Sequence, residues 1–403
     1  MFTRTITPAL LSLATEFPVV TITGPRQSGK TTLCRTTFPD KPYINLEQPE
    51  TRRFALEDPR GFLSTIPDGA ILDEIQRAPD LLSYIQVIVD DKQTAGQFIV
   101  TGSQQFEVMN TINQSLAGRS ALLKLLPLSI EELAKSDVPL SSNKLILNGF
   151  YPRIHNQKLN PTRVLGDYFE TYVERDIRQL VTIKNLGTFE KFVRLCAGRV
   201  GQILNLHSLG NDAGISHSTA REWMTLLEAS YIVFQLRPWY SNTSKRLVKS
   251  PKLYFYDVGL VSYLIGLETE LHVARDPLRG NLFENMAIVE ALKYRYNRGK
   301  KDNLSFYRDS NGNEVDLLLG IGPDLFPVEI KSGETIVPDF FKGLASFIKT
   351  APPLPQGAGL VYGGPEQQNR SQTRVWPVLR MHEMLDAVYL AAEGSKEPAP
   401  CVS

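Results

Sequence analysis

Val19-Val20-Thr21-Ile22-Thr23-Gly24-Pro25-Arg26-Gln27-Ser28-Gly29-Lys30-Thr31 is the stretch on which the fold turns. A β-branched apolar run ends in a loop of the form G-x-x-x-x-G-K-T, and the residues after it read as a helix, which is the context that motif requires. The glycines let backbone N–H groups wrap a phosphate, and the positive end of the following helix adds to their pull. Lys30 is the candidate to reach the β- and γ-phosphates and Thr31 the candidate Mg²⁺ ligand, with Gly24, Gly29 and Thr32 completing the expected contacts. ATP and Mg²⁺ are therefore the expected cofactors.

Working outward, short apolar runs at Pro42–Leu46, Ala70–Leu72, Gln97–Thr101 and Ala121–Leu126 alternate with amphipathic stretches. That alternation predicts a parallel α/β sheet buried on both faces, with right-handed crossovers. Phosphoryl transfer also needs a carboxylate for the metal and a group to polarise water. Asp73 and Glu74, at the end of the third run, are the candidates for those roles. Phe98-Ile99-Val100-Thr101-Gly102-Ser103 ends in small polar residues that can sense a γ-phosphate, Ser103 being favoured over Thr101. Arg119 is a candidate to stabilise transition-state charge in its own or a neighbouring subunit, or else an ordinary surface arginine.

The rest of the chain has the length for more. At 403 residues, and roughly 150 residues per domain, two or three domains are expected. Forty-four basic against 43 acidic residues leave a formal charge of +1, so no global field draws the chain to nucleic acid. Three cysteines, Cys34, Cys196 and Cys401, suit neither a disulfide framework nor a zinc site. The start of the chain does not read as a signal peptide, and no apolar run approaches a membrane span, so a cytoplasmic protein without membrane contact is expected.

From about Leu140 the periodicity becomes helical, with Tyr168, Tyr172, Ile177 and Leu180 marking one face of a helix after Pro161. Leu209 to Trp223 then has a helix-turn-helix layout: a helix ending near Ala213-Gly214, Ile215 anchoring the turn, and Ser216 capping a second helix that exposes His217, Ser218 and Arg221. Arg237, Lys245, Arg246, Lys249 and Lys252 follow with no acidic residue among them, like the wing of a winged helix. DNA is the expected partner, through Arg221, Lys245, Arg246 and Lys249. A protein-docking role fits the same layout.

A third region reads as a helix from about Leu278 to Arg298 and strands near Asn303–Tyr307, Glu314–Leu319 and Leu325–Ile330. If the last two form a hairpin, Asp316 and Glu329 converge, Lys331 shares the face of Glu329, and Glu284 on the helix can join them. Carboxylates beside a lysine are what metal-assisted phosphodiester hydrolysis uses, and the order D-(x)n-E-x-K resembles restriction-endonuclease-like folds. Glu284, Asp316 and Glu329 are thus candidate ligands of a second metal, with Lys331 beside it. The other reading, which the commonness of an E-x-K triplet favours, is a nuclease-like fold that is catalytically idle, its charges a solvated ion-pair cluster or a DNA-binding platform.

Taken together, Gly24–Thr31, Leu72-Asp73-Glu74-Ile75-Gln76, Val100-Thr101-Gly102-Ser103, Leu116-Ala117-Gly118-Arg119, Gly149-Phe150-Tyr151-Pro152, Lys252–Leu260 and the Glu314–Asp316/Glu329–Lys331 pair resemble prokaryotic AAA-type ATPases whose C-terminal half is a domain of unknown function. The family often has Gly-Gly where this chain has Gly149-Phe150. The resemblance implies an AAA-type P-loop domain at 1–136, a helical, winged-helix region at 137–256, an endonuclease-like α/β domain at 257–393 and a tail at 394–403. It implies an ATPase linked to that winged-helix and endonuclease-like module and supplies no cellular role. The leading expectation is an Mg²⁺-dependent ATPase that drives or regulates DNA engagement by its C-terminal half, and a homo-oligomer is expected because the wider AAA class commonly acts as rings. An ATP-regulated nuclease and a nucleotide-controlled protein-binding switch are the alternatives.

Overall fold

The computed structural model describes residues 2–103, 116–136, 139–173, 185–239, 249–349, 357–370 and 373–394. Five strands open the chain: β1 (Val19–Thr23), β2 (Tyr43–Asn45), β3 (Ile71–Asp73), β4 (Phe98–Gly102) and β5 (Ser120–Lys124). They pair in parallel in the order β2-β3-β4-β1-β5, each near the run that predicted it. Side chains alternate across a strand, so Val20 and Ile22 of β1 pack with Leu10, Leu33 and Cys34 on one face, while Val19 joins Phe62, Leu82 and Ile85 on the other. The helices Thr7–Glu16 and Lys30–Thr37 cover the first face, and Pro59–Ser64 and Leu81–Lys92 the second.

Beyond the sheet, Ser129 and Glu132 form a reciprocal capping box on the short helix Ile130–Ala134. The helix after Pro161 ends at Tyr168 and continues as a π-helical turn, Phe169–Val173. Tyr168 is buried against Tyr151, ring centroids 4.7 Å apart, whereas Ile177, Leu180 and the side chain of Tyr172 lie outside the described residues. Helices Leu186–Ala197, Leu206–Ala213 and His217–Ala229 then pack together around Trp223, which meets Phe189 and Phe192 edge-on. An antiparallel pair, β6 (Val233–Leu236) and β7 (Lys252–Phe255), follows them.

The last region is built on the helix Arg279–Asn297, most of whose residues are buried, and on six strands. These are β8 (Leu304–Arg308), β9 (Glu314–Ile321), β10 (Asp324–Lys331), β11 (Ala358–Tyr362), β12 (Gln368–Arg370) and β13 (Thr373–Pro377), in the order β12-β13-β11-β10-β9-β8. The expected hairpin is present, with Val328 paired to Leu317, which sets Glu329 opposite Asp316. Strands β11 to β13 and the helix Met381–Gly394 were not anticipated from the sequence. One apolar core runs from Leu126 to Val388, across the boundary expected at 256.

Candidate functional site

The loop after β1 owes its path to two glycines. Gly24 has φ +149° and a Cβ there would overlap the Leu125 carbonyl; Gly29 has φ +95° and caps the helix Lys30–Thr37. Lys30 is 5% exposed and donates to the carbonyls of Gly24 (3.0 Å) and Pro25 (2.9 Å), inside the arch. Burial lowers its pKa, while Glu74 and Asp73 act in the opposite sense. Asp73, at the end of β3, accepts the Thr31 hydroxyl at 2.8 Å and the Tyr43 hydroxyl at 2.7 Å on one oxygen, and the Thr101 hydroxyl on the other. Glu74 sits in left-handed backbone at φ +59°; its carboxylate accepts the Ser103 hydroxyl at 3.0 Å and the Gln76 amide.

Lys30, Thr31, Thr32 and Glu74 line one side of a cavity of about 770 Å³, within the usual size of a small-molecule site. Arg4 and Arg153 line it as well, so the N-terminal segment and the helix Pro152–Gln157 both border the phosphate loop. The donor set fits Mg²⁺ and a nucleotide: Thr31 and Asp73 offer hard oxygens side by side, and the buried Ser28 Oγ and Gln27 Oε1 in the loop have no hydrogen-bond partner among the described residues. Tyr43 and Arg4 carry no sequence signal, since each is far in sequence from the group it contacts, whereas Gln76 lies within a quoted motif but without an assigned role.

Of the readings of Arg119, its placement bears on the same-chain one. Its carbonyl accepts the Val19 amide at 3.3 Å, which puts it where β1 begins, whereas the phosphate loop leaves where β1 ends. Strands rise about 3.3 Å per residue, so roughly 16 Å of sheet separates them. The side chain is ion-paired with Asp90. A same-chain role at the γ-phosphate is excluded by this placement.

In the helical region, the Ser216 hydroxyl accepts the Thr219 amide at 3.1 Å and Gly214 is left-handed at the end of the preceding helix. His217, Ser218, Arg221 and Glu222 are exposed. The basic loop divides: Lys245 and Arg246 lie outside the described residues, and Lys249 is exposed. Arg237 is exposed too, though its carbonyl accepts the Phe306 amide of β8. Lys252 does not belong to this surface. It is 3% exposed, with its ammonium 2.9 Å from Glu284 and also paired with Glu314.

That lysine changes the second carboxylate group. Asp316, Glu329 and Lys331 do meet: Lys331 lies 3.4 Å from Asp316 and 2.6 Å from Glu329, and Asp316 also accepts the Ile330 amide at 2.8 Å, while Glu284 lies near enough for its charge to act on Glu329. Yet Lys252 fills the space toward Glu284, with the Tyr254 hydroxyl donating to the same carboxylate. Among the described residues, no three His, Cys, Asp or Glu are placed to hold a metal ion. Glu284, Asp316 and Glu329, the expected ligand set, thus share their site with two lysines, Lys252 and Lys331, of which the sequence reading placed only Lys331 there. Burial and the Asp316 charge push Glu329 up to about 8, which Lys331 only partly offsets. Burial also raises Glu284 against the pull of Lys252, and burial disfavours the Lys252 charge, but Glu284, Asp316 and Glu314 outweigh it and raise that pKa.

Two of the quoted motifs are one joint. The buried Asp257 accepts the Phe150 amide at 2.7 Å and caps the helix Val258–Leu264, and a Cβ on Gly259 would overlap the backbone of Gly149. From the helix Arg279–Asn297, Lys293 donates to the Leu128 carbonyl at 2.7 Å and stands 3.6 Å over the Phe150 ring, and Glu290 accepts the Ile130 amide at 2.7 Å. The helix that carries Glu284 thus also grips the segment beside the nucleotide cavity.

Residues 16–134 match the AAA domain family, 140–271 a domain of unknown function (DUF8612) and 279–381 a second (DUF4143). Uncharacterized proteins of Mycobacterium tuberculosis and Mycobacterium bovis are each 29% identical over 79% of this chain and 71% of their own. Among solved structures, a Walker-type ATPase of Pyrococcus abyssi is 13% identical, with a TM-score of 0.46 over 66% of this chain and 96% of that one. The region that matches the AAA domain family is built on the parallel sheet, and the region that matches the second domain of unknown function on the mixed sheet. No helix among the described residues is long and apolar enough to cross a membrane.

Proposed function

We propose that this protein is a Mg²⁺-dependent ATPase whose nucleotide state drives or regulates DNA engagement by its C-terminal half. One observation carries the first part: Lys30, Thr31 and Glu74 line one cavity beside a parallel sheet, with Asp73 hydrogen-bonded to Thr31 and Ser103 to Glu74. Lys30 and the loop amides bind the phosphates, and Thr31 and Asp73 hold Mg²⁺, which supplies charge neutralisation on the phosphate oxygens. Glu74 polarises the attacking water, and its tie to Ser103 and Gln76 orients it.

The second part is supported by three helices followed by an antiparallel strand pair, in which we read a winged helix, and by the basic residues that lie between those two strands in the sequence. Arg221, Lys249, Lys245 and Arg246 would neutralise phosphates there, giving salt-dependent binding. Arg119, barred from its own cavity, is left for a neighbouring subunit in a homo-oligomer. ATP hydrolysis by wild type and Lys30→Ala, each with and without duplex DNA, tests the reading. Hydrolysis lost in Lys30→Ala and altered by DNA in wild type supports it, and equal rates in all four samples defeat it.

The nuclease reading is favoured by the meeting of Asp316, Glu329 and Lys331 and opposed by Lys252, which is paired with Glu284. Plasmid incubated with the protein and Mg²⁺ or Mn²⁺ discriminates, since genuine cutting must vanish in Asp316→Ala.

A further inference from the structure

We infer that Arg4 is a positioning residue for the phosphate loop, setting its affinity for nucleotide phosphates; the inference rests on the reading of the cavity as a nucleotide site. Arg4 lies in the segment before the first helix, is 8% exposed and spends its guanidinium on three acceptors. One Nη donates to the Ser28 carbonyl at 2.7 Å, the other to the Leu126 carbonyl at 2.7 Å, and Nε to Glu132 at 3.1 Å. These acceptors belong to the phosphate loop, to the segment leaving β5, and to the capping box of the next helix.

The consequence follows from peptide geometry. The Ser28–Gly29 unit is planar and trans, so drawing the Ser28 carbonyl onto Arg4 fixes the opposite direction for the Gly29 N–H. That amide stands at the start of the helix Lys30–Thr37, where free N–H groups meet phosphate. A Cβ on Gly29 would come within 3.4 Å of the guanidinium, so the side chain lies against the loop itself. Glu132, fully buried, balances the Arg4 charge and also accepts the Thr5 amide at 2.7 Å. Three different nitrogens of the planar fork serve the three acceptors, whereas a lysine ammonium keeps the charge but offers its donors from a single atom.

Arg4→Lys in the full chain separates positioning from mere support. We expect Kd for Mg²⁺-ADP and KM for ATP each to rise at least tenfold, with the melting temperature without nucleotide close to wild type. A supporting role alone would lower the active fraction, cutting apparent kcat while Kd and KM stay put. Glu132→Gln, which leaves the Arg4 fork in place, is expected to keep Kd within about threefold of wild type. Should Arg4→Lys fold poorly, Arg4→Gln with Glu132→Gln removes both charges together and is expected to show the same rise in Kd. Wild-type affinity in whichever of these Arg4 variants folds overturns the inference while leaving the nucleotide reading intact. A wild-type protein that binds neither ADP nor ATP overturns both.

Discussion

Lys252→Met is the perturbation that most sharply separates an internal ion cluster from a metal centre. The lysine is 3% exposed and its principal partner Glu284 has a side chain 14% exposed, so neither charge has much water to fall back on. Removing one partner of a buried pair costs about 3–5 kcal/mol. At roughly 2–4 °C per kcal/mol for a unit of 150–250 residues, the melting temperature should drop by about 10 °C. Glu284→Gln placed on top of Lys252→Met removes the stranded charge while leaving an acceptor for Tyr254, and should recover at least half of the loss. The pH dependence has a definite sign. Without Lys252 the folded pKa of Glu284, already raised by burial, rises further above its unfolded value. The folded form then keeps its stability at low pH and loses it as pH rises through that pKa. Thermal melts at pH 5 and pH 8 should therefore show the larger deficit at pH 8. A variant as stable as wild type, or a deficit equal at both pH values, would refute the account of Lys252.

Glu329 gives a related expectation for wild type: with its pKa pushed to about 8, its contribution is present below about pH 4.5 and lost as pH rises through 8. Glu329→Gln should flatten that slope and melt higher than wild type at pH 9. Arg119→Ala, which breaks an exposed pair, should leave both the melting temperature and ATP affinity of the isolated chain unchanged, as checked by melting and titration calorimetry. Burial pushes the Cys34 thiol up to about 12 and raises Cys196 as well. Both should resist iodoacetamide at pH 8 in the native protein and react after denaturation, read by peptide mass spectrometry.

Local signals reached a long way in the N-terminal half. A motif confined to consecutive residues, flanked by β-branched runs, located β1, the loop and the helix Lys30–Thr37, and Asp73 and Glu74 were visible because they terminate a buried strand. Ser216 and Gly214 were legible for the same reason, caps being local chemistry. What failed was long-range. Lys252 reads as one more basic residue of a loop, and only the pairing of β6 with β7 and the approach of the helix Arg279–Asn297 turn it inward. Arg4 and Tyr43 carry no motif, and their partners Glu132 and Asp73 are brought to them by the sheet. Strands β11 to β13 lie in a stretch rich in Gly, Pro and polar residues, where alternation is too brief to register.

The central claim is that the loop from Gly24 to Thr31 grips the phosphates of a nucleoside triphosphate. Equilibrium binding of labelled ATP to the full chain with Mg²⁺ present tests it directly, with Lys30→Ala alongside. Saturable binding by wild type that is lost or greatly weakened in Lys30→Ala is the predicted result. No binding by wild type, or equal binding by both proteins, would contradict the account.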